Sequence, residues 1–329
     1  METVYFLIEA IVKNIVVITV LMLFAAYLTL IERKALARIQ IRYGPNRAGP
    51  FGILQPIADG IKAFFKEEII PERADKPLFV IAPMIAITCG IAMIAVIPFG
   101  DKVTIFGREI KLVVADLDIG LLYVFAIASL GEYGIVLGGW SSGNKYGVLG
   151  ALRAAAQMIS YEVSLGLAIM GVLVLSSSLR LSDIVEAQRD TWFILYQPFA
   201  FILYIICAFA EINRTPFDMP EAESELACGF NIEYSSMKFA LFFIAEYTHL
   251  IAVSALATTL FLGGWHGPLL LPGPIWFFIK VCVLLFVFIW IRATYPRLRY
   301  DHIMKLGWKI LLPLTLLNLV VTALFVALR

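Results

Sequence analysis

Cysteine is scarce. Cys89, Cys207, Cys228 and Cys282 lie far apart, three of them inside apolar runs. No Cys-x-x-Cys pair exists, which argues against an iron–sulfur site, a zinc site or a disulfide framework, and the thiols are expected to be buried and inert. Histidine is scarcer: His249, His266 and His302 are the whole supply. Glu246 and His249 form one Glu-x-x-His pair, half of what a di-iron bundle needs, and no second pair follows. The run GGWSSGNKYG lacks the Gly-Lys-Ser/Thr end of a phosphate loop and reads as a turn. Net charge is +1, so no overall field attracts nucleic acid. There is no internal repeat, low-complexity tract or interdomain linker, and METVYFLIEA lacks the basic start of a cleaved signal. By elimination, the chain has no evident means of carrying electrons itself; if it serves a redox enzyme, a partner must hold the metal or flavin.

What the chain has is oil. Of its 329 residues, 61% are hydrophobic and 16% charged, the composition of a polytopic membrane protein. Eight runs are long enough to cross a bilayer at about 20 residues each, near 4–31, 78–98, 117–139, 149–175, 192–211, 237–262, 275–292 and 310–328. The expected fold is all-α, a single transmembrane domain over 1–329 with eight helices and one amphipathic surface helix. An even count places both termini on one side. The links 32–77, 140–148, 212–236 and 293–309 carry most of the lysine and arginine outside the spans, so they should face the cytoplasm and leave both termini outside, in the periplasm.

The first link changes character midway. ERKALARIQIRYGPNR is basic; after it Leu54, Ile57, Ala58, Ile61, Phe64 and Phe65 recur at helical spacing, opposite Asp59, Lys62, Lys66 and Glu67. That pattern predicts a helix lying in the membrane surface.

The third link is crowded with acids. From Glu211 to Ser236 it holds Glu211, Asp218, Glu221, Glu223, Glu225 and Glu233 against one cation, Arg214. Carboxylates this dense either keep protons or take cations from elsewhere in the chain. The basic half of the first link is the natural counterpart, and the two segments are expected to meet.

Four acids fall within or at the edge of spans: Glu132, Glu162, Glu211 and Glu246. An ionised carboxylate in hydrocarbon costs several kcal/mol, so each should face a polar interior or hold a proton, and together they form a proton relay by default. Tyr161 and Tyr247 could extend such a chain through their hydroxyls, and the glycines of the third and fourth spans permit close helix packing. Lys280, near the outer end of its span, is close enough to the outer surface to snorkel and is expected to be structural.

The segments ERKALARIQIRYGPNRAGPFGILQPIADGIKAFFKE, RAAAQMISYEVSLGLA and AEINRTPFDMPEAESELACGFNIEYSSMKFALFFIAEY, in a likeness that runs nearly end to end, resemble the H subunit of bacterial respiratory complex I, subunit 1 in mitochondria. The resemblance implies a membrane component of a proton-pumping NADH:quinone oxidoreductase, with quinone as substrate, other complex I subunits as partners, and FMN and iron–sulfur clusters held only by those partners. It implies that Glu162, Glu211 and Glu246 are buried channel acids. It further implies that Asp218, Glu221, Glu223, Glu225 and Glu233, with Arg214, form a loop beside the quinone chamber, and that Glu32, Arg33, Asp59 and Lys62 belong to its entrance. Glu132 departs from the pattern, because an acid in that span is expected one turn earlier, near Ser129. Three rivals stand beside this reading: the equivalent subunit of a related membrane-bound hydrogenase or other quinone-linked dehydrogenase, a stand-alone cation/proton antiporter, and a passive membrane anchor.

Overall fold

In the computed structural model, described residues are 2–105, 108–268 and 271–328, leaving aside the side chains of 2–8, 103–105, 108, 110, 223 and 224. The elements are α1 (Glu2–Ile39), α2 (Gln55–Phe65), α3 (Lys76–Ile94), β1 (Lys102–Ile105), β2 (Arg108–Lys111), α4 (Gly120–Ser141), α5 (Lys145–Ser176), α6 (Leu181–Glu186), α7 (Phe193–Tyr196), α8 (Pro198–Glu211), α9 (Glu223–Leu226), α10 (Ser236–Phe261), α11 (Gly273–Thr294), α12 (Tyr300–Lys305) and α13 (Leu312–Ala327). Seven helical stretches among the described residues are long and apolar enough to cross a membrane, and α8 is a shorter apolar helix. A six-residue π-helical stretch, Leu306–Leu311, joins α12 to α13 and completes the last of the seven.

The fifth expected span is broken. Gln197 leaves helical geometry at φ −133° and ψ 57°, separating the four residues of α7 from the fourteen of α8. Pro198, which cannot donate a backbone hydrogen bond, starts the new helix, where that loss is harmless. Outside the all-α expectation stands one small feature, the antiparallel hairpin β1–β2, which pairs Lys102 with Lys111 and Ile105 with Arg108.

Connections gather at two ends. At one, Ala115 donates to Ala95 O at 2.9 Å, Leu121 to Leu179 O at 3.1 Å, and Gly263 to Gln188 Oε1 at 3.0 Å. At the other, Asp75 donates to Ser141 O at 3.0 Å, Ile69 to Ser235 Oγ at 3.2 Å, and Leu298 to Pro216 O at 3.1 Å. The second set joins the links expected to share the basic face. At 38 residues, α1 runs to about 57 Å, longer than a bilayer core, so its charged end projects into those links.

The centre of the bundle is α10. In its most apolar stretch 61% of residues are buried, against 17% for the last helix, whose outer face is left to lipid. It lies against α1, α3 and α11, and α3 lies in turn along α4. Gly134 makes the α3–α4 approach possible: a Cβ there would come within 2.9 Å of Ala82 O and of Ala86. The surface helix forms as its periodicity predicts, with Ile57, Ile61, Phe64 and Phe65 exposed along α2.

Lys280 does not snorkel. It is 7% exposed, and its Nζ donates to the carbonyls of Leu262 at 2.6 Å, Gly264 at 2.9 Å and His266 at 2.5 Å. The Trp192 ring lies 4.3 Å away. Carbonyls freed where α10 ends solvate the ammonium better than a reach to the surface would. Cys228 also departs from expectation, since it is exposed on the acidic link.

Candidate functional site

Four elements and one link converge near the second end of the bundle. Glu246 and His249, three residues apart on α10, point the same way. Glu132 comes from α4, Glu211 from the last turn of α8, Cys89 from α3, and Glu221 and Asn231 from the acidic link. Between them lies a cavity of about 60 Å³, room for a few water molecules. Of the four acids expected to face a polar interior or hold a proton, Glu132, Glu211 and Glu246 line this cavity together and Glu162 does not.

Neither Glu132 nor Glu211 is bound by lysine or arginine among the described residues. Both are buried, and an Oε2 atom of each lacks a hydrogen-bond partner. The basic group nearest Glu211 is His249, whose Nε2 stands 3.6 Å from Glu211 Oε1. That separation is too long for a hydrogen bond and short enough for a small side-chain rotation to close it to one.

Beside this cavity is a buried ion cluster. Arg214, 5% exposed, donates through Nη1 to Glu32 Oε2 at 2.6 Å and through Nε to Glu246. Arg292 donates to the other oxygen of Glu32, and the Tyr247 ring lies 4.2 Å beneath the Arg214 guanidinium. Burial alone would weaken the hold of Arg214 on its proton, but the charges of Glu246 and Glu32 more than offset it.

The two links meet with charges reversed. The lone cation of the acidic stretch takes the acid of the basic stretch, while Arg33 turns back to Asp59 at 2.7 Å and Lys62 lies 3.8 Å from the same carboxylate. Further contacts are Lys238 with Glu68 and Ser236 Oγ donating to the carbonyls of Ala63 and Lys66. Glu32 is therefore interior, whereas Arg33, Asp59 and Lys62 sit at the surface beside α2.

The acids of the link divide by environment. Burial, with the nearby charges of Glu246 and Asp218, pushes the Glu221 carboxyl up to about 8, although Asn231 donates to it at 3.0 Å. Burial likewise raises Asp218, against the opposing pull of Arg297. Glu225 is exposed and lies below its usual range because Arg153 donates to it at 2.6 Å. Glu233 accepts from Asn144 at 2.7 Å. The Glu223 side chain lies outside the described residues.

Glu162 does not line the cavity. Its Oε1 bonds the Ser129 hydroxyl on α4, one helical turn from Glu132. The Tyr161 hydroxyl donates to Ile303 O at 2.8 Å and pins the start of the last helix. Three contributors escaped sequence reasoning: His249 opposite Glu211, Arg292 on Glu32, and Ser129 on Glu162. The Glu-x-x-His spacing on α10 was the available signal for the first. Among the described residues no group of three or more His, Cys, Asp or Glu is placed to hold a metal ion.

Helices that span the bilayer around a small acid-lined cavity, closed on one side by a buried arginine cluster, define a polytopic membrane protein with a polar interior. A model of the NADH dehydrogenase family matches residues 12–323. The chain is 55% identical over 333 residues to the second NADH-quinone oxidoreductase H subunit of Geobacter metallireducens, covering 98% of this chain and 96% of that protein. It is 56% identical over 314 residues to the protein of the same name from Syntrophobacter fumaroxidans, 95% of each, and 52% identical over 319 residues to the NADH-quinone oxidoreductase H subunit of Thermomicrobium roseum, 94% and 93%. The chain belongs to the NADH dehydrogenase family, as a multi-pass membrane subunit of an oxidoreductase.

Proposed function

We propose that this chain forms the membrane entrance to a quinone site in a proton-translocating NADH:quinone oxidoreductase, and that its cavity acids couple quinone reduction to proton movement. Electrons come from FMN and iron–sulfur clusters in partner subunits. Reduction of a quinone to a quinol takes up protons with the electrons, so the charge beside the acidic link changes with each turnover. Glu221, raised by burial, sits where it can answer such a change while still near its midpoint. Glu246, Glu211 and Glu132 share the cavity with it, and Glu162 continues the series through Ser129. A set this close titrates as a unit.

The observation that carries this reading is the cavity in which Glu132 and Glu211 are buried without a lysine or arginine partner among the described residues. A passive anchor has no use for such groups, since they cost stability. The exposed apolar face of α2 beside Arg33, Asp59 and Lys62 suits admission of a long-tailed quinone from the bilayer. The basic links face the cytoplasm, which leaves both termini outside. Related hydrogenase-type assemblies are distinguished by the electron-input subunits that purify with the chain.

The test is the assembled enzyme in sealed vesicles with Glu162→Gln or Glu211→Gln. The reading expects impaired quinone reductase turnover or fewer protons moved per NADH. Wild-type turnover and pumping in both variants reject it.

A further inference from the structure

We infer that His249 is the proton-accepting partner of Glu211, so that the two hold one proton between them inside the cavity. This rests on the relay reading above and deepens it by adding a residue and a direction. The geometry is specific. Glu211 Oε1 and His249 Nε2 are 3.6 Å apart, the two side chains are 7% and 14% exposed, and both His249 Nε2 and Glu211 Oε2 lack a hydrogen-bond partner. Unsatisfied atoms on facing groups, next to a water-sized cavity, are the arrangement in which a proton passes directly or through one water.

The surrounding charges favour this pairing. The titratable groups lining the cavity are Cys89 from α3, Glu132 from α4, Glu211 from α8, Glu221 from the link, and Glu246 with His249 from α10. Glu246 is held by Arg214 and Glu221 accepts from Asn231, whereas His249 is the basic side chain that faces Glu211. Of the lining groups, His249 is the one able to become a cation. When the Glu211 carboxyl passes its proton to Nε2, a neutral pair becomes a carboxylate beside an imidazolium, and the net charge of the cavity stays the same. Only the dipole changes, and Glu132 across the cavity senses it. Creating the two opposite charges side by side costs less in a low-dielectric interior than leaving either of them there alone.

The experiment uses the whole enzyme in vesicles, reading quinone reductase turnover from acid to alkaline pH for wild type, His249→Asn, Glu211→Gln and the double variant. Removing one of the two groups that share the proton should move the pH of half-maximal turnover in His249→Asn by about one unit. Turnover at neutral pH should fall about tenfold. Adding Glu211→Gln to His249→Asn should cost little more, because the pair acts as one. If His249→Asn assembles poorly, His249→Gln, which keeps a donor near Nε2, supplies the same profile. An unmoved pH profile, or effects of the two substitutions that multiply, overturns the pairing. Impairment by Glu211→Gln with a normal His249→Asn profile removes His249 and leaves the relay standing. Normal behaviour of Glu211→Gln removes the relay itself.

Discussion

Arg214 lies with its Nη1 2.6 Å from Glu32 Oε2, and the two side chains, from links drawn together at one end of the bundle, are 5% and 2% exposed. The pair ties the acidic link to the end of α1 through opposite charges withdrawn from water. Such a pair is worth little against an apolar replacement of both partners, but breaking one side leaves a buried charge uncompensated.

Arg214→Met should therefore destabilise the chain by about 3–5 kcal/mol, since Glu32 and Glu246 both lose a partner. The amount of assembled enzyme recovered from membranes and its thermal midpoint measure the loss. Arg214→Lys, which lacks the two-pronged donor geometry, should recover only part of it.

Glu221 gives a pH dependence of definite sign. Its carboxyl is raised from an ordinary 4.5 to about 8, so across that window the folded state binds more protons than the unfolded state. Stability contributed by this group is full below about 4.5, falls as pH rises, and stops falling above about 8. Thermal midpoints of the solubilised enzyme across that range should decline less steeply for Glu221→Gln than for wild type.

The Lys280 cage predicts a purely structural phenotype at the opposite end. Lys280→Met strands three carbonyls at the end of α10 and should cost about 2–3 kcal/mol in thermal stability. Enzyme that does assemble should keep its turnover per molecule, because the cavity acids are distant from this end.

Gly229 should tolerate no side chain. Its φ is +52°, and a Cβ there would run into the Pro220 carbonyl oxygen, within the turn that presents Glu221. Gly229→Ala should disrupt the link while sparing the spans, seen as faster proteolysis of the link with helix content unchanged.

Much of this architecture is legible from local pattern. Length and hydropathy suffice to locate the spans, since the bilayer fixes how much apolar chain each needs, and the period of Leu54, Ile57, Ile61 and Phe64 marks the surface helix. Gln197 was hidden because a break inside an apolar run leaves hydropathy unchanged. Pairings were the hardest part. That Arg214 meets Glu32 while Arg33 turns to Asp59 depends on which helix faces come together, and charge counts along the chain carry no such information. The same holds for Lys280, whose carbonyl partners come from a loop fourteen to eighteen residues away in sequence. The acids of the cavity could be singled out because carboxylates in apolar runs are rare; His249 opposite Glu211 became visible only once α8 and α10 were side by side.

The central claim is that Glu132 and Glu211 change protonation as quinone is reduced. Redox-triggered infrared difference spectroscopy on the assembled enzyme reads this directly in the carboxyl C=O region. The account predicts a carboxyl band on quinone reduction that Glu132→Gln or Glu211→Gln removes or shifts. A difference spectrum with no carboxyl band, or one unchanged in both variants, would contradict it.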